Sequence, residues 1–211
     1  MTFKTSFLAI LLGASLLAAC NNDPLSDLSV EESQVFITNR NKTADFNQYK
    51  TFSIVDSVIV LGNRGTGTSL SDVDMQVLNR VVANMQQLGY RYVNPKDSPD
   101  LGINVAQIRN SYLNVVSQPM SPYLGNYWGG GFYGGGLGGW GYGYPSYYTY
   151  YQVNENYWYL EMVDFKNPDR ANQKLNVVWS AEIRGAGLFD VQQVSNVIDS
   201  VFKQSAYLGS N

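Results

Sequence analysis

The stretch from Asn156 to Arg184, NYWYLEMVDFKNPDRANQKLNVVWSAEIR, decides the fold class of this 211-residue chain. Its two ends, Asn156 to Phe165 and Lys174 to Arg184, are dominated by β-branched and aromatic residues, a composition typical of strands. The turn-forming run Lys166 to Asp169 (KNPD) lies between them. We therefore expect two neighbouring strands that pair as an antiparallel hairpin.

Earlier parts of the chain repeat this composition. The predicted strands are Val35 to Ile37, Tyr49 to Val60, Tyr90 to Val93 and Leu101 to about Val116. Residues 39–47 are turn-forming and separate the first two of these strands, which predicts an early hairpin.

In two other stretches the apolar residues recur with the spacing of an α-helix. Apolar residues recur at helical spacing from Ser71 to Leu88, Ser69 or Ser71 can cap the start, and Gly89 ends the pattern. A second amphipathic helix is expected after Asp190, because Asp190 and Gln193 have the spacing of a capping box. Its apolar residues are Val191, Val194, Ile198, Val201 and Phe202.

This order of elements predicts an α+β two-layer sandwich. Strands outnumber helices, and short turns join most of them, so we expect a largely antiparallel sheet with two helices packed on one face. A long Gly/Tyr-rich loop is inserted between two of the strands. A single domain from 33 to 206 would hold one core, with residues 207–211 as a tail.

The N-terminus has the order of a bacterial export signal. Lys4 precedes an apolar run from Phe7 to Leu17, which is too short to span a bilayer. The ending Leu17-Ala18-Ala19-Cys20 resembles a lipobox, so residues 1–19 would be removed and Cys20 acylated. Two acyl chains give stable anchoring, and residues 20–32 would tether the domain to the membrane. We expect an exported protein anchored to the bacterial outer membrane, with the periplasmic face favoured over the cell surface.

The inserted segment, residues 117–150, has an unusual composition. Residues 110–154 carry no charge, and eleven of the nineteen residues from 125 to 143 are glycine. Aromatic side chains combine apolar area with polar groups, so the segment is expected to contact an envelope protein, a glycan or the membrane interface. A tolerated insertion without a role is the alternative. The candidate interaction residues are Tyr127, Trp128, Phe132, Tyr133, Trp140, Tyr142 and Tyr144.

The composition excludes several other classes of function. The chain has no histidine and one cysteine, which excludes histidine-dependent catalysis and the common zinc, haem and iron–sulfur ligand sets. Its net charge of −3 gives no basic surface for nucleic acid. The run Gly62 to Ser69 nearly fits a phosphate-binding loop, but Thr68 stands where that motif requires lysine. We expect a flexible strand-to-helix loop there, no metal, no cofactor and no catalytic residue.

Three carboxylates nevertheless support a rival prediction. Glu161, Asp164 and Glu182 lie on neighbouring predicted strands, and a pair of carboxylates could perform acid–base hydrolysis of an envelope glycan. The expected explanation is that they are exposed charges on the sheet, with Glu161 and Asp164 on opposite faces. An envelope hydrolase therefore remains the alternative to a non-enzymatic binding or structural module.

Five short segments of the chain match the pattern of a known family. They are Ala44 to Phe52 (ADFNQYKTF), Leu88-Gly89-Tyr90, Pro99-Asp100-Leu101, Val163-Asp164 and Val177 to Ala181 (VVWSA). In these segments the chain resembles the DUF4136 family of bacterial lipoproteins, which is defined by sequence and has no established activity. The resemblance covers about 33 to 206 and implies no catalytic residue. Family members often end the last helix with Phe-Pro, whereas Phe202 to Tyr207 contains no proline.

Overall fold

The structure is a computed structural model that describes residues 28–62, 65–109, 128, 141–143 and 156–209. The chain divides into two units, Met1–Ser33 and Gln34–Asn211. In the described part of the first unit, the backbone N–H of Ser29 donates to Glu32 at 2.9 Å, and the backbone N–H of Glu32 donates to Ser29 at 3.2 Å. The second unit contains the sheet and both helices.

Nine strands and two α-helices make up the described part of the second unit. The helices are α1 (Asp72–Gln87) and α2 (Val194–Gln204). The strands are β1 (Val35–Arg40), β2 (Thr51–Ile54), β3 (Val58–Gly62), β4 (Gly65–Ser69), β5 (Arg91–Tyr92), β6 (Leu101–Arg109), β7 (Gly141–Gly143), β8 (Tyr157–Asp169) and β9 (Lys174–Arg184).

The strands form one sheet in the order β1-β9-β8-β6-β2-β5. β3 pairs with β6 and β4, and β7 pairs with β9. The long ladders between β1, β9, β8 and β6 are antiparallel, whereas β2 joins β6 and β5 in parallel. The predicted α+β class with a mostly antiparallel sheet and two helices is confirmed.

Helix α1 follows its predicted boundaries. Ser71 is its N-cap and forms a capping box with Asp74, and Gly89 beyond its end has a φ of 95°. A left-handed φ costs glycine little, which explains the helix stop. Val77, Val81 and Met85 are fully buried in the core that also contains Trp179, as the amphipathic pattern indicates.

Helix α2 begins later than expected. The side chain of Asp190 accepts the backbone N–H of Gln192 at 2.7 Å, so it stabilises a turn before the helix. Gln193 is the N-cap and makes no side-chain capping bond. The predicted capping box is therefore wrong, because local side-chain bonding at Asp190 favours a turn and delays the helix to Val194.

The hairpin of β8 and β9 is confirmed, but its turn lies at residues 170–173 instead of 166–169. The expected single strand from 49 to 60 is divided into β2 and β3, and the strand after Leu101 is described up to Arg109. The predicted early hairpin is wrong, because β1 pairs with β9 and β2 pairs with β6. Long-range pairing has overridden the proximity of these strands in sequence.

The flexible loop predicted from Gly62 to Ser69 is also wrong. Gly65–Ser69 forms strand β4, which pairs antiparallel with β3 in a register that sets Gly62 opposite Gly65. Gly65–Ser69 is thus the second strand of a hairpin with β3 and not the flexible strand-to-helix loop that the sequence predicted. Ser69 donates its hydroxyl hydrogen to Asp74 at 2.5 Å, so the end of β4 is bonded to the first turn of α1.

The sheet has two different faces. Gln107 of β6 donates to Asp74 of α1 at 2.6 Å, and Trp179 of β9 contacts Phe202 of α2, so these side chains lie on what we call the helix-covered face. Neighbouring residues in a strand point to opposite sides. The other side, called the helix-free face because neither α1 nor α2 lies on it, therefore carries Gly102, Asn104, Ala106 and Ile108 of β6, Tyr157, Tyr159, Glu161, Val163 and Phe165 of β8, and Ser180, Glu182 and Arg184 of β9.

Candidate functional site

Four polar side chains are buried together on the helix-free face, and we call them the polar cluster. The register sets Asn104 opposite Glu161, and Glu161 opposite Ser180. Glu182 follows two residues after Ser180, on the same side of β9. All four are at most 3% exposed. A buried polar group is costly unless it is hydrogen-bonded, so the bonds of this cluster decide what it can do.

A chain of two hydrogen bonds runs through the polar cluster to Trp128. The side-chain amide of Asn104 donates from Nδ2 to Oε1 of Glu161 at 2.8 Å. Its Oδ1 accepts the indole N–H of Trp128, also at 2.8 Å. Because the carboxylate accepts the amide hydrogen, the amide oxygen is turned toward the indole. The sequence prediction missed Asn104, although a polar residue inside the apolar run LGINVAQIR was a usable signal.

Trp128 is fully buried and packs edge-on against Phe165, with ring centroids 5.0 Å apart. The Phe165 ring lies where a side chain of residue 102 would be. A Cβ atom on Gly102 would approach Cζ of Phe165 to 2.2 Å. Gly102, Phe165 and Trp128 therefore form a packed stack above β6, next to the Trp128–Asn104 hydrogen bond.

The three carboxylates predicted as exposed charges are all buried, which is a correction. Glu161, Asp164 and Glu182 are 0%, 5% and 3% exposed. Glu182 pairs with Arg184, whose guanidinium stacks over the ring of Tyr157 at 5.0 Å. Each carboxylate has a polar partner, Asn104 for Glu161, Tyr49 for Asp164 and Arg184 for Glu182, which allows its burial.

Asp164 lies on the opposite face from Glu161, as strand alternation predicts. It accepts the hydroxyl hydrogen of Tyr49 at 2.7 Å and the backbone N–H of Asn167 at 2.9 Å. Burial, together with this bond to the nearby carboxylate, raises the pKa of Tyr49 far above its ordinary value. Tyr49 therefore stays a neutral donor and holds Asp164 within the packed structure.

The arrangement does not bring two carboxylates to one exposed position. Two surface clefts lined by described residues lie elsewhere, with volumes of about 550 and 480 Å³. The first lies between α1 and α2 and includes Asn84, Asp199 and Lys203, and the second includes Leu78 and Tyr92. Neither cleft is lined by the three predicted carboxylates.

Among the residues that the structure describes, no group of three or more carboxylate, cysteine or histidine side chains is arranged to hold a metal ion. The described helices are also too short or too polar to cross a bilayer.

Of the seven predicted interaction residues, the structure describes two, Trp128 and Tyr142. Trp128 is buried against the sheet, so it is not an exposed contact residue. Tyr142 lies in β7, which pairs in parallel with residues 174–176 of β9. The insertion therefore contributes to the fold at two places. The predicted lipidation site Cys20 and the predicted interaction residues Tyr127, Phe132, Tyr133, Trp140 and Tyr144 lie outside the described residues.

A family whose description is "Domain of unknown function (DUF4136)" matches residues 37–205. The chain belongs to the DUF4136 family. This DUF4136 domain is similar to the crystal structure of a DUF4136 family protein from Bacteroides thetaiotaomicron, with a TM-score of 0.66 and 27% sequence identity. The match covers 85% of this chain and 99% of that one.

A second similar structure is a PelC dodecamer from Paraburkholderia phytofirmans, with a TM-score of 0.40 and 12% identity over 84% of this chain and 99% of that one. A comparison with curated proteins finds no significant match. The comparisons therefore establish the family of the DUF4136 domain and assign it no activity.

Proposed function

We propose that this DUF4136 protein is a non-enzymatic, lipid-anchored domain of the bacterial cell envelope. Cys20 would attach it to the outer membrane, and its aromatic insertion would bind an envelope protein or glycan. The uncharged segment 110–154 favours a partner that is recognised through aromatic contacts and hydrogen bonds instead of ion pairs. Contact with the membrane interface is a separate outcome of the test below.

The observation that carries the non-enzymatic half of the proposal is the bonding of the three carboxylates. Glu161 accepts Asn104, Asp164 accepts Tyr49, and Glu182 pairs with Arg184. A general acid or base must come within hydrogen-bond reach of its substrate. Carboxylates that are buried and bonded inside the protein support a structural role.

The rival hydrolase is tested with the purified chain and isolated envelope polysaccharide. We expect no release of reducing ends above a blank. Release that disappears in Glu161→Gln or Glu182→Gln, while both variants keep the far-UV circular dichroism of the wild type, would establish the hydrolase instead.

The anchor is tested by fractionating cells that express Cys20→Ala. The variant cannot be acylated, so we expect it in the soluble fraction after a carbonate wash, whereas the wild type stays with the membranes. Ser15→Ala serves as a control, because it alters the export segment without touching the cysteine. A Cys20→Ala protein that remains with washed membranes would contradict the anchor.

The binding role is tested by cross-linking in intact cells. Tyr127, Phe132, Tyr133, Trp140 and Tyr144 are replaced together by serine, while Trp128 and residues 141–143 are kept because they belong to the fold. We expect the melting temperature to change little and the cross-linked products to disappear. The readout also distinguishes adducts with protein, with glycan and with lipid.

A matched control replaces Tyr92 and Tyr207, which are 44% and 38% exposed on the described domain, by serine. This variant also removes exposed aromatic area but leaves the insertion intact, and we expect it to keep the cross-linked products. Equal loss in both variants would mean that the insertion has no specific role.

A further inference from the structure

We propose that Trp128, Asn104 and Glu161 form a hydrogen-bonded relay that fastens the Gly/Tyr-rich insertion to the helix-free face. The relay makes Trp128 a positioning residue, and it gives Glu161 a role that is different from the acid–base role of the rival hydrolase. The fastening stands on geometry alone. Its consequence for partner binding rests on the proposed function.

Trp128 differs from the residues around it in the sequence. It belongs to a segment in which glycine dominates, and ordering such backbone is entropically unfavourable. Its side chain is nevertheless fully buried and bonded at 2.8 Å. Burying an indole away from water is strongly favourable, and this burial holds residue 128 against the sheet.

The sheet offers a site whose shape fits this indole. Gly102 leaves room for the ring of Phe165, and that ring presents an edge-on contact to Trp128 at 5.0 Å. Beside it, Oδ1 of Asn104 accepts the indole N–H. The position thus offers both the apolar contact and the hydrogen-bond acceptor that a buried tryptophan requires.

The orientation of the Asn104 amide is set by Glu161. An amide can present its oxygen or its nitrogen to a neighbour, and only the oxygen accepts the indole N–H. Oε1 of Glu161 accepts from Nδ2 of Asn104 at 2.8 Å, which turns the oxygen toward Trp128. Glu161 therefore acts on Trp128 through Asn104. This also explains why a carboxylate is buried in the middle of the sheet.

The relay is tested by chymotrypsin digestion of the full chain under native conditions, with cleavage sites mapped by mass spectrometry. Residue 128 must leave its buried position before the protease can cut there. The rate of cleavage at position 128 is first normalised to the rate on a synthetic peptide with the same residue at that position, which removes the preference of chymotrypsin among aromatic residues. It is then divided by the rate at Trp179, which is buried in the core and reports global unfolding. This ratio measures local release of the insertion.

We expect the ratio to rise about fivefold or more in Trp128→Phe and in Asn104→Leu, because each removes the hydrogen bond between the indole N–H and Oδ1 of Asn104. Glu161→Gln should raise it less, because a glutamine keeps one acceptor oxygen. Trp128→Phe retains an aromatic ring, so it keeps the test available if Asn104→Leu does not fold.

The matched control is Gln107→Leu. Gln107 is a buried amide on the same strand, three residues from Asn104, but it faces the helices and bonds Asp74. It should lower global stability without raising the ratio. An unchanged ratio in Trp128→Phe, or an equal rise in Gln107→Leu, would overturn the relay.

The digestion needs no partner, so failure of the proposed function would leave its result intact. Where the proposed function holds, Trp128→Phe should also reduce cross-linking to the envelope partner while membrane retention through Cys20 stays unchanged.

Discussion

The side chains on both faces of strand β6 are buried, but different parts of the protein cover the two faces. Leu101, Ile103 and Val105 point toward the helices, and Gly102, Asn104 and Ala106 point to the helix-free face. All six are buried. The first set is large and apolar and supplies its own packing. The second is small or polar and requires large side chains from elsewhere, which Phe165 and Trp128 provide.

This difference shows that a sheet face can be completed by residues distant in sequence as well as by amphipathic helices. The helix-covered face is filled by α1 and α2, whose apolar residues repeat at helical spacing. On the helix-free face, the described residues that cover the sheet include the indole of Trp128, which comes from a segment without helical spacing of apolar residues. Packing on the helix-covered face should therefore contribute most of the stability. Packing on the helix-free face should depend on how closely its few large side chains fit together.

The largest expected effect is on the helix-covered face. Trp179 is 1% exposed, packs with Phe202 and donates to Ser205 at 3.2 Å. Trp179→Ala should lower the free energy of unfolding by about 3 to 5 kcal/mol, because it leaves a large cavity. Urea denaturation measures this, with the exposed Tyr207 replaced by alanine as control. An unchanged unfolding midpoint would remove Trp179 from the core.

The next effect tests the fit of the helix-free face. Gly102→Ala would place a methyl group against the ring of Phe165, which cannot move without displacing Trp128. We expect a loss of about 1 to 3 kcal/mol. Adding Phe165→Leu should recover part of it. Gly67→Ala is the control, because no heavy atom lies within 4 Å of that Cβ position. Equal melting of Gly102→Ala and the wild type would contradict this packing.

A smaller effect is expected where the helix-covered face meets α1. Asp74 accepts from Ser71 and Gln107, and it lies at the positive end of the helix. Asp74→Asn should cost about 1 to 2 kcal/mol, because it removes the charge and one of the acceptors. Thermal unfolding measures the loss. Asp72→Asn, in the same first turn but outside these bonds, should change the melting temperature less.

The smallest effect is the pH dependence of the contact between the helices. Burial alone would raise the pKa of Asp199, but hydrogen bonds from Arg80 and Asn84 outweigh it, so the pKa lies below its ordinary value of 3.8. A carboxyl group with a lowered pKa stabilises the fold above its ordinary pKa, and this contribution disappears as the pH falls through the folded-state pKa.

The pair of Arg80 and Asp199 is partly exposed, so solvent screening limits its contribution to about 0.2 to 1 kcal/mol. Asp199→Asn should therefore melt slightly below the wild type at pH 7, and the two curves should converge below about pH 4. A difference that grows as the pH falls would have the wrong sign.

Local sequence patterns were sufficient to predict the helices and strands whose apolar residues recur at regular spacing. The capping residues and apolar spacing of Ser71 to Leu88 gave α1 to within about a residue, and the hairpin of β8 and β9 followed from two strand-like runs and a turn. They were not sufficient for strand pairing. Nothing in the composition of Val35 to Arg40 indicates that it pairs with β9 instead of β2, because pairing depends on the energies of all competing registers.

The α+β class, the apolar faces of the helices, the apolar residues of the β8–β9 hairpin and the lack of histidine for catalysis could all be inferred from residue type and spacing. These are local properties of the chain. The burial of Glu161 and Glu182 and the place of Trp128 in the core could be seen only in the folded structure. Burial depends on what covers a face, and the Trp128–Asn104 contact joins residues 24 positions apart that no periodicity connects.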